Sequence, residues 1–205
     1  MPLSRDGRGT GWALAVDIVN TWDEYPRPMD LVEGLEDVRT VLRWHGLERA
    51  AEVVEPRDIA RFRRLRTRLE RVFDAASEDD AVALLNELVG EYGVPPRLER
   101  AARGWRFRAW PDESAGLRAG AALAAHGLLE TISEHGWSRL GRCAGWPCRC
   151  AYVDHTRNGS RRYCCTLCAD RVAQASLRSR RRAASRPTRR DGTLQRRSPK
   201  GRSAE

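Results

Sequence analysis

At 205 residues, with a net charge of +9 and a mean hydropathy of −0.61, the chain has room for one medium domain plus a small one and is too polar for a membrane protein. The longest apolar stretch near the start, Trp12 to Val19, is broken by Asp17 and is too short to cross a bilayer. The charge is lopsided: residues 1–136 hold 19 Arg against 24 Asp and Glu, net −5, whereas residues 137–205 hold 17 Arg and Lys200 against four acids, net +14. An acidic body joined to a basic end implies two jobs rather than one uniformly basic surface.

Residues 12–20 alternate imperfectly and become β-branched toward the end, which predicts a short strand. A turn-rich loop follows over Asp23 to Pro28. Leu31, Leu35, Val38 and Leu42 fall on one face of a helix over Asp30 to Trp44, stopped by Gly46. A second helix, Arg57 to Ala76, turns Ile59, Phe62, Leu65, Leu69, Val72 and Phe73 inward. Its opposite face (Arg61, Arg63, Arg64, Arg66, Arg68, Arg71) reads as a solvated face paired with neighbouring acids. Ser77 with Asp80 caps a third helix, Glu78 to Tyr92, ended by Gly93 and Pro95-Pro96. Leu98 to Ala102 and Trp105 to Ala109 form the arms of a hairpin turning at Arg103-Gly104. A long helix then runs from Ser114 to Glu134.

These elements predict a mostly helical α+β domain over residues 12–136 with one short strand and a hairpin. The second module spans residues 137–184. After Pro187 the chain has almost nothing apolar to bury, so residues 185–205 are expected to be a disordered, Arg-rich tail.

All six cysteines lie between Cys143 and Cys168. Residues 1–11 lack the apolar core of a secretory signal, which points to the cytoplasm, where clustered cysteines serve as thiolate ligands rather than disulfides. Cys143-x4-Cys148 and Cys164-x3-Cys168 have the spacing of two zinc-binding pairs, and a segment this small needs a metal to supply folding free energy. Cys165-x2-Cys168 is an alternative second pair, and His155 an alternative ligand. Between the pairs, Cys150 to Asp154 and Arg161 to Tyr163 read as arms of a second hairpin about Asn158-Gly159. A helix from Cys164 to about Ala184 follows, which together resembles a treble-clef-like zinc finger. Arg171, Gln174, Arg178, Arg181 and Arg182 form one stripe of that helix, with Arg157, Arg161 and Arg162 nearby. Such a stripe lies along phosphates or enters a major groove.

The run Arg142-Cys143-x4-Cys148, then Thr156-Arg157-Asn158-Gly159-Ser160-Arg161-Arg162-Tyr163-Cys164-x3-Cys168-Ala169-Asp170-Arg171, resembles the CGNR zinc finger. Leu14-Ala15-Val16-Asp17-Ile18-Val19-Asn20-Thr21, followed by Leu31 and Leu35, resembles the opening of the ABATE domain that commonly precedes that finger. The resemblance covers about residues 12–183. It implies a bacterial transcription regulator that binds double-stranded DNA through the finger, with Zn2+ held by Cys143, Cys148, Cys164 and Cys168, and with Cys150 and Cys165 as extras. The signature tetrapeptide is Cys-Ala-Asp-Arg here: Asp170 stands where the family has Asn, and a carboxylate repels phosphate.

The N-terminal domain is expected to sense a small-molecule effector or to mediate homodimerisation, with Asp17, Asn20, Thr21 and Trp22 as the candidate ligand cluster. No Gly-rich phosphate loop, Gly-x-Ser-x-Gly or His-Glu-x-x-His motif occurs, and an all-cysteine site has no open position for water, so an enzyme is not expected. A thiol-based redox sensor using Cys165 and Cys150, and an RNA-binding protein, are the rival readings.

Overall fold

The computed structural model describes residues 10–109 and 111–184. The architecture is mostly helical α+β. At its centre lies helix α1 (Gly11–Val19), where the expected strand is corrected: residues 12–20 are helical up to Val19. The β-branched residues Val16, Ile18 and Val19 suggest extension, but Ala13, Leu14, Ala15 and Ile18 have no solvent exposure and Val16 and Val19 almost none. A short segment enclosed on every side satisfies its backbone internally as a helix, so tertiary burial overrides local preference.

The long helix α6 (Leu117–His135) packs directly on α1, and glycine makes this possible. A Cβ on Gly11 would sit 2.2 Å from the Leu123 carbonyl oxygen, and one on Gly127 would sit 2.2 Å from the Trp12 nitrogen. The two backbones therefore touch, with Ala121, Ala124 and Ala125 completing a small-residue seam.

Around this pair run α2 (Leu35–Trp44), α3 (Glu48–Val53), α4 (Arg57–Phe73) and α5 (Glu78–Tyr92). Helix α2 begins five residues later than the periodicity predicts. Met29 and Asp30 are used as strand β2 (Met29–Asp30), paired antiparallel with β1 (Trp22–Asp23), and the Asp37 carboxylate accepts from the Glu33 and Gly34 amides at 2.9 Å each. Helix α5 starts where expected, with Ser77 Oγ accepting from the Asp80 amide at 3.1 Å. Four of the six arginines on that face of α4 are paired with acids. Arg61 meets Asp58 at 3.0 Å, Arg63 meets Asp30 at 3.0 Å, and Arg68 meets Glu91. Arg66 is buried and clamps Asp30 with two bonds of 2.6 and 3.0 Å.

The hairpin β3 (Arg97–Arg100) and β4 (Trp105–Arg108) pairs Leu98 with Phe107 and Arg100 with Trp105. Its loop is Ala101 to Gly104, closed by a 3.0 Å bond from the Ala101 amide to the Gly104 carbonyl. A last antiparallel pair, β5 (Leu140–Arg142) and β6 (Ala151–Val153), leads into α7 (Thr166–Ala184). Ala151 and Val153 belong to the same apolar core as α1, α4 and α6, so the C-terminal module is docked onto the helical one. The expected tail, residues 185–205, lies outside the described residues.

Candidate metal centre and basic helix

The cysteine module differs from its expected layout in one respect. Strand β6 does not pair with Arg161 to Tyr163 but with β5, which comes before the first cysteine. The Asn158-Gly159 turn is present, with Gly159 at φ +58°, yet it closes a loop organised by Asp154 rather than a strand pair. The buried Asp154 carboxylate accepts from the Thr156 and Arg161 amides at 2.7 Å each. Burial pushes its pKa up, but the bonds from Thr156 and Arg161 and the charge of Arg139 more than offset that and hold it below the usual carboxylate range.

This scaffold brings the sulfurs together. The segment between β5 and β6 forms a knuckle, with the Cys143 amide bonded to the Cys150 carbonyl at 2.9 Å and the Cys148 amide to the Gly145 carbonyl at 3.0 Å. The Ala144 amide reaches the Arg162 carbonyl at 2.8 Å and ties the knuckle to the segment entering α7. Cys164 precedes α7 and Cys168 lies in its first turn. The sulfurs of Cys143, Cys148, Cys164 and Cys168 all lie within 4.8 Å of one another.

The donor set fits zinc. Four sulfurs at ~2.3 Å from a tetrahedral Zn2+ are separated by about 3.8 Å. Cys148 to Cys164 and Cys164 to Cys168 are both 3.7 Å. Four thiols this close cannot ionise independently. Bonding to Cys150 and Cys164 lowers the Cys148 thiol far below its ordinary range. Bonding to Cys148 pushes Cys150 up to about 12 and raises Cys164, while burial pushes Cys168 up to about 12. A divalent cation relieves that mutual repulsion. The Gly145 amide, 3.4 Å from Cys143 Sγ, and the Arg171 guanidinium, 3.8 Å from Cys168 Sγ, add positive character to the sulfurs. Cys165 is exposed, and His155 packs on the Trp12 ring at 4.2 Å, outside the four-sulfur cluster.

The predicted nucleic-acid residues separate into two groups. Arg161 is a scaffold residue: its guanidinium donates to the carbonyls of Tyr163 at 3.0 Å, Val153 at 3.3 Å and Cys164, and lies 5.1 Å from the Tyr152 ring centre. Arg171 is likewise engaged, donating to the Gly145 carbonyl and stacking 4.0 Å above Tyr25. Arg157, Arg162, Gln174, Arg178, Arg181 and Arg182 are exposed, as is Asp170.

The predicted ligand cluster does not form one site. Asp17 meets His45 Nε2 at 2.9 Å with both side chains buried. Thr21 Oγ1 donates to the Ile18 carbonyl at 2.7 Å and accepts from Arg66 at 3.2 Å, and Trp22 Nε1 donates to Glu24 at 3.1 Å. Asn20 grips β6. Only Asp17 and Asn20 reach a common cavity, a groove of about 830 Å3 between α1, the cysteine knuckle and α7, which Trp12, Tyr25, Tyr152 and Leu167 also line. Sequence reasoning missed Arg142, which bonds Asp74 at 2.8 and 3.0 Å and the Glu70 carbonyl at 3.2 Å, fastening the module to α4. Its place directly before Cys143 was the only available signal.

A mostly helical α+β domain carrying a four-cysteine zinc centre defines the class. Residues 13–134 match the ABATE family, described as "Putative stress-induced transcription regulator", and residues 139–181 match the CGNR zinc finger. The chain belongs to the ABATE family and carries a CGNR zinc finger. No curated protein matches it. Among the described residues, no helix is long and apolar enough to cross a membrane.

Proposed function

We propose that the chain is a zinc-dependent regulator of transcription that binds double-stranded DNA through α7. The supporting observation is the position of the four sulfurs at the root of that helix, with Gln174, Arg178, Arg181 and Arg182 exposed farther along it. Zn2+ held by Cys143, Cys148, Cys164 and Cys168 supplies a rigid cross-link, not chemistry: with no open coordination position it offers no site for water or substrate. Arg161 and Asp154 set the loop that presents Arg157 and Arg162. The exposed arginines contact phosphates, and Gln174 stands where a base edge can be read. Asp170 on the same helix opposes phosphate and favours a cytosine amino group or a neighbouring arginine.

In this reading residues 12–136 form the sensing or dimerising domain, residues 137–184 the finger, and residues 185–205 add charge to DNA binding. An effector enters the groove beside α1, lined by Trp12, Tyr25, Tyr152 and Leu167, where it touches both modules. The protein acts in the cytoplasm at the nucleoid and is not an enzyme. Selection of duplexes from a random pool by the zinc-loaded protein, repeated after chelation, tests the reading. Enrichment only with zinc is expected, and equal recovery without it would remove the mechanism.

One observation favours a second reading, thiol-based sensing: the exposed Cys165 Sγ lies 3.9 Å from Cys164 Sγ. Zinc release by mild peroxide, followed with a chromogenic chelator and blocked by Cys165→Ser, would support it.

A further inference from the structure

The hairpin β3–β4 carries its amphipathic pattern inside out. Leu98, Arg100, Trp105 and Phe107 share one face, and that face is open: Leu98 is 65%, Trp105 61% and Phe107 58% exposed. The opposite face carries Arg97, Glu99, Arg106 and Arg108, and there a single glutamate serves three arginines, with Arg108 at 2.6 Å, Arg97 at 3.0 Å and Arg106 at 3.5 Å. Residues 97–108 contain five Arg and one acid, a net of +4 inside a domain whose net charge is negative. Apolar side chains on an exposed sheet face cost free energy unless something covers them.

The surroundings narrow the occupant. A second copy would bring two strongly cationic hairpins together, and its contact would rest on three apolar side chains, against about 20–30 residues a side in a stable interface. A duplex offers phosphates but hides its base faces in the stack. An unpaired strand offers both, with phosphates for arginine and flat apolar rings for the aromatics. Trp105 and Phe107 are two residues apart on one strand, so their rings emerge about 7 Å apart on the same face. Arg100 lies 4.5 Å from the Trp105 ring centre and buttresses one side of it.

We propose that the β3–β4 hairpin is a second nucleic-acid site, one that takes single-stranded nucleic acid by stacking unpaired bases on Trp105 and Phe107 while Arg100, on the same face, and Arg103, in the turn, hold its phosphates. This site does not depend on the reading of α7. The hairpin lies beside the N-terminal half of α6, with Arg106 and Arg108 lining one cavity with Ala119 and Leu123, whereas α7 follows the finger, so separate variants address the two sites.

The test uses the zinc-loaded full chain and a fluorescein-labelled 20-mer of thymidine. Trp105→Ala/Phe107→Ala is expected to weaken binding about tenfold or more, at a typical cost of one to two lost base stacks. Trp105→Phe/Phe107→Tyr, which keeps the rings, is expected to restore it and guards against a folding defect. Arg178→Ala/Arg181→Ala is expected to weaken duplex binding and leave most of the 20-mer affinity. Photocrosslinking of a bromouracil-substituted 20-mer is expected to place adducts on the peptide containing Trp105 and Phe107. Adducts confined to α7, no binding of the 20-mer, preference of the hairpin for an acidic polypeptide, or a dimer in sedimentation that the alanine pair abolishes would each overturn the proposal. Failure of duplex binding with 20-mer binding retained would instead count against the α7 reading alone.

Discussion

Asn20 holds Ala151 across 131 residues of sequence by both of its backbone groups: Asn20 Oδ1 accepts from the Ala151 amide at 2.7 Å, and Asn20 Nδ2 donates to the Ala151 carbonyl at 3.0 Å. One amide side chain at the end of α1 thus stands in for the next strand of the β5–β6 ladder. Asn20→Ala leaves a buried donor and acceptor without partners and is expected to cost about 1–3 kcal/mol. Hydrogen exchange should show the loss concentrated at residues 151–153. Unchanged protection there would mean the clamp is not what seats the finger.

The contact of α1 with α6 makes a sharper prediction. Gly127→Ala places a methyl group 2.2 Å from backbone that cannot step aside, and the variant is expected to lose several kcal/mol or fail to fold. Gly90, on the exposed face of α5, has nothing within 4 Å of an added Cβ. Gly90→Ala is expected to raise stability by about 0.5–1 kcal/mol. Denaturant midpoints of the two variants check both signs together.

These two glycines look alike in the sequence, and the contrast shows what was legible. The start of α5 was readable because Ser77 and Asp80 cap it within one turn. The four sulfurs were readable because chelation restricts spacing locally. The helical state of α1 was not, since its cause is enclosure by distant residues such as Leu42, Leu69 and Leu128, and its Val and Ile content argues the other way. The partner of β6 was missed because Asn158-Gly159 is a genuine local turn, whereas the pairing with β5 is made across the knuckle. Helix α3, with six residues, is too short to show a period. Arg161 looked like its neighbours, and only the fold shows that it faces inward to three carbonyls.

Acid should loosen the N-terminal domain through Asp30. Burial raises its pKa, but the bonds from Arg66 and the Val32 amide, and the charges of Arg66 and Arg63, more than offset that and leave it below its ordinary value. A depressed carboxylate stabilises the fold fully above its unfolded pKa of about 3.9, and that contribution fades as pH falls through the folded value. Asp30→Asn strands the buried Arg66 and is expected to cost about 3 kcal/mol at neutral pH. The gap between wild type and variant should stay level from about pH 7 to pH 5 and close below about pH 4. A gap that widened on acidification would contradict the assignment.

Metal content separates the six cysteines. One zinc per chain is expected. Ser at Cys143, Cys148, Cys164 or Cys168 should each lower the affinity severely, because one thiolate of four is lost, whereas Cys150→Ser and Cys165→Ser should retain the ion. Elemental analysis of the reduced proteins reads this directly, and zinc retained after Cys164→Ser but lost after Cys165→Ser would reassign the second pair to Cys165 and Cys168.

The most direct measurement is duplex affinity as a function of salt for the zinc-loaded protein and for Arg178→Ala/Arg181→Ala. If α7 lies along the phosphates, log affinity falls steeply with log salt, and removing two contacts flattens the slope by about 2. An identical slope in the two proteins would take α7 out of the interface and contradict the account.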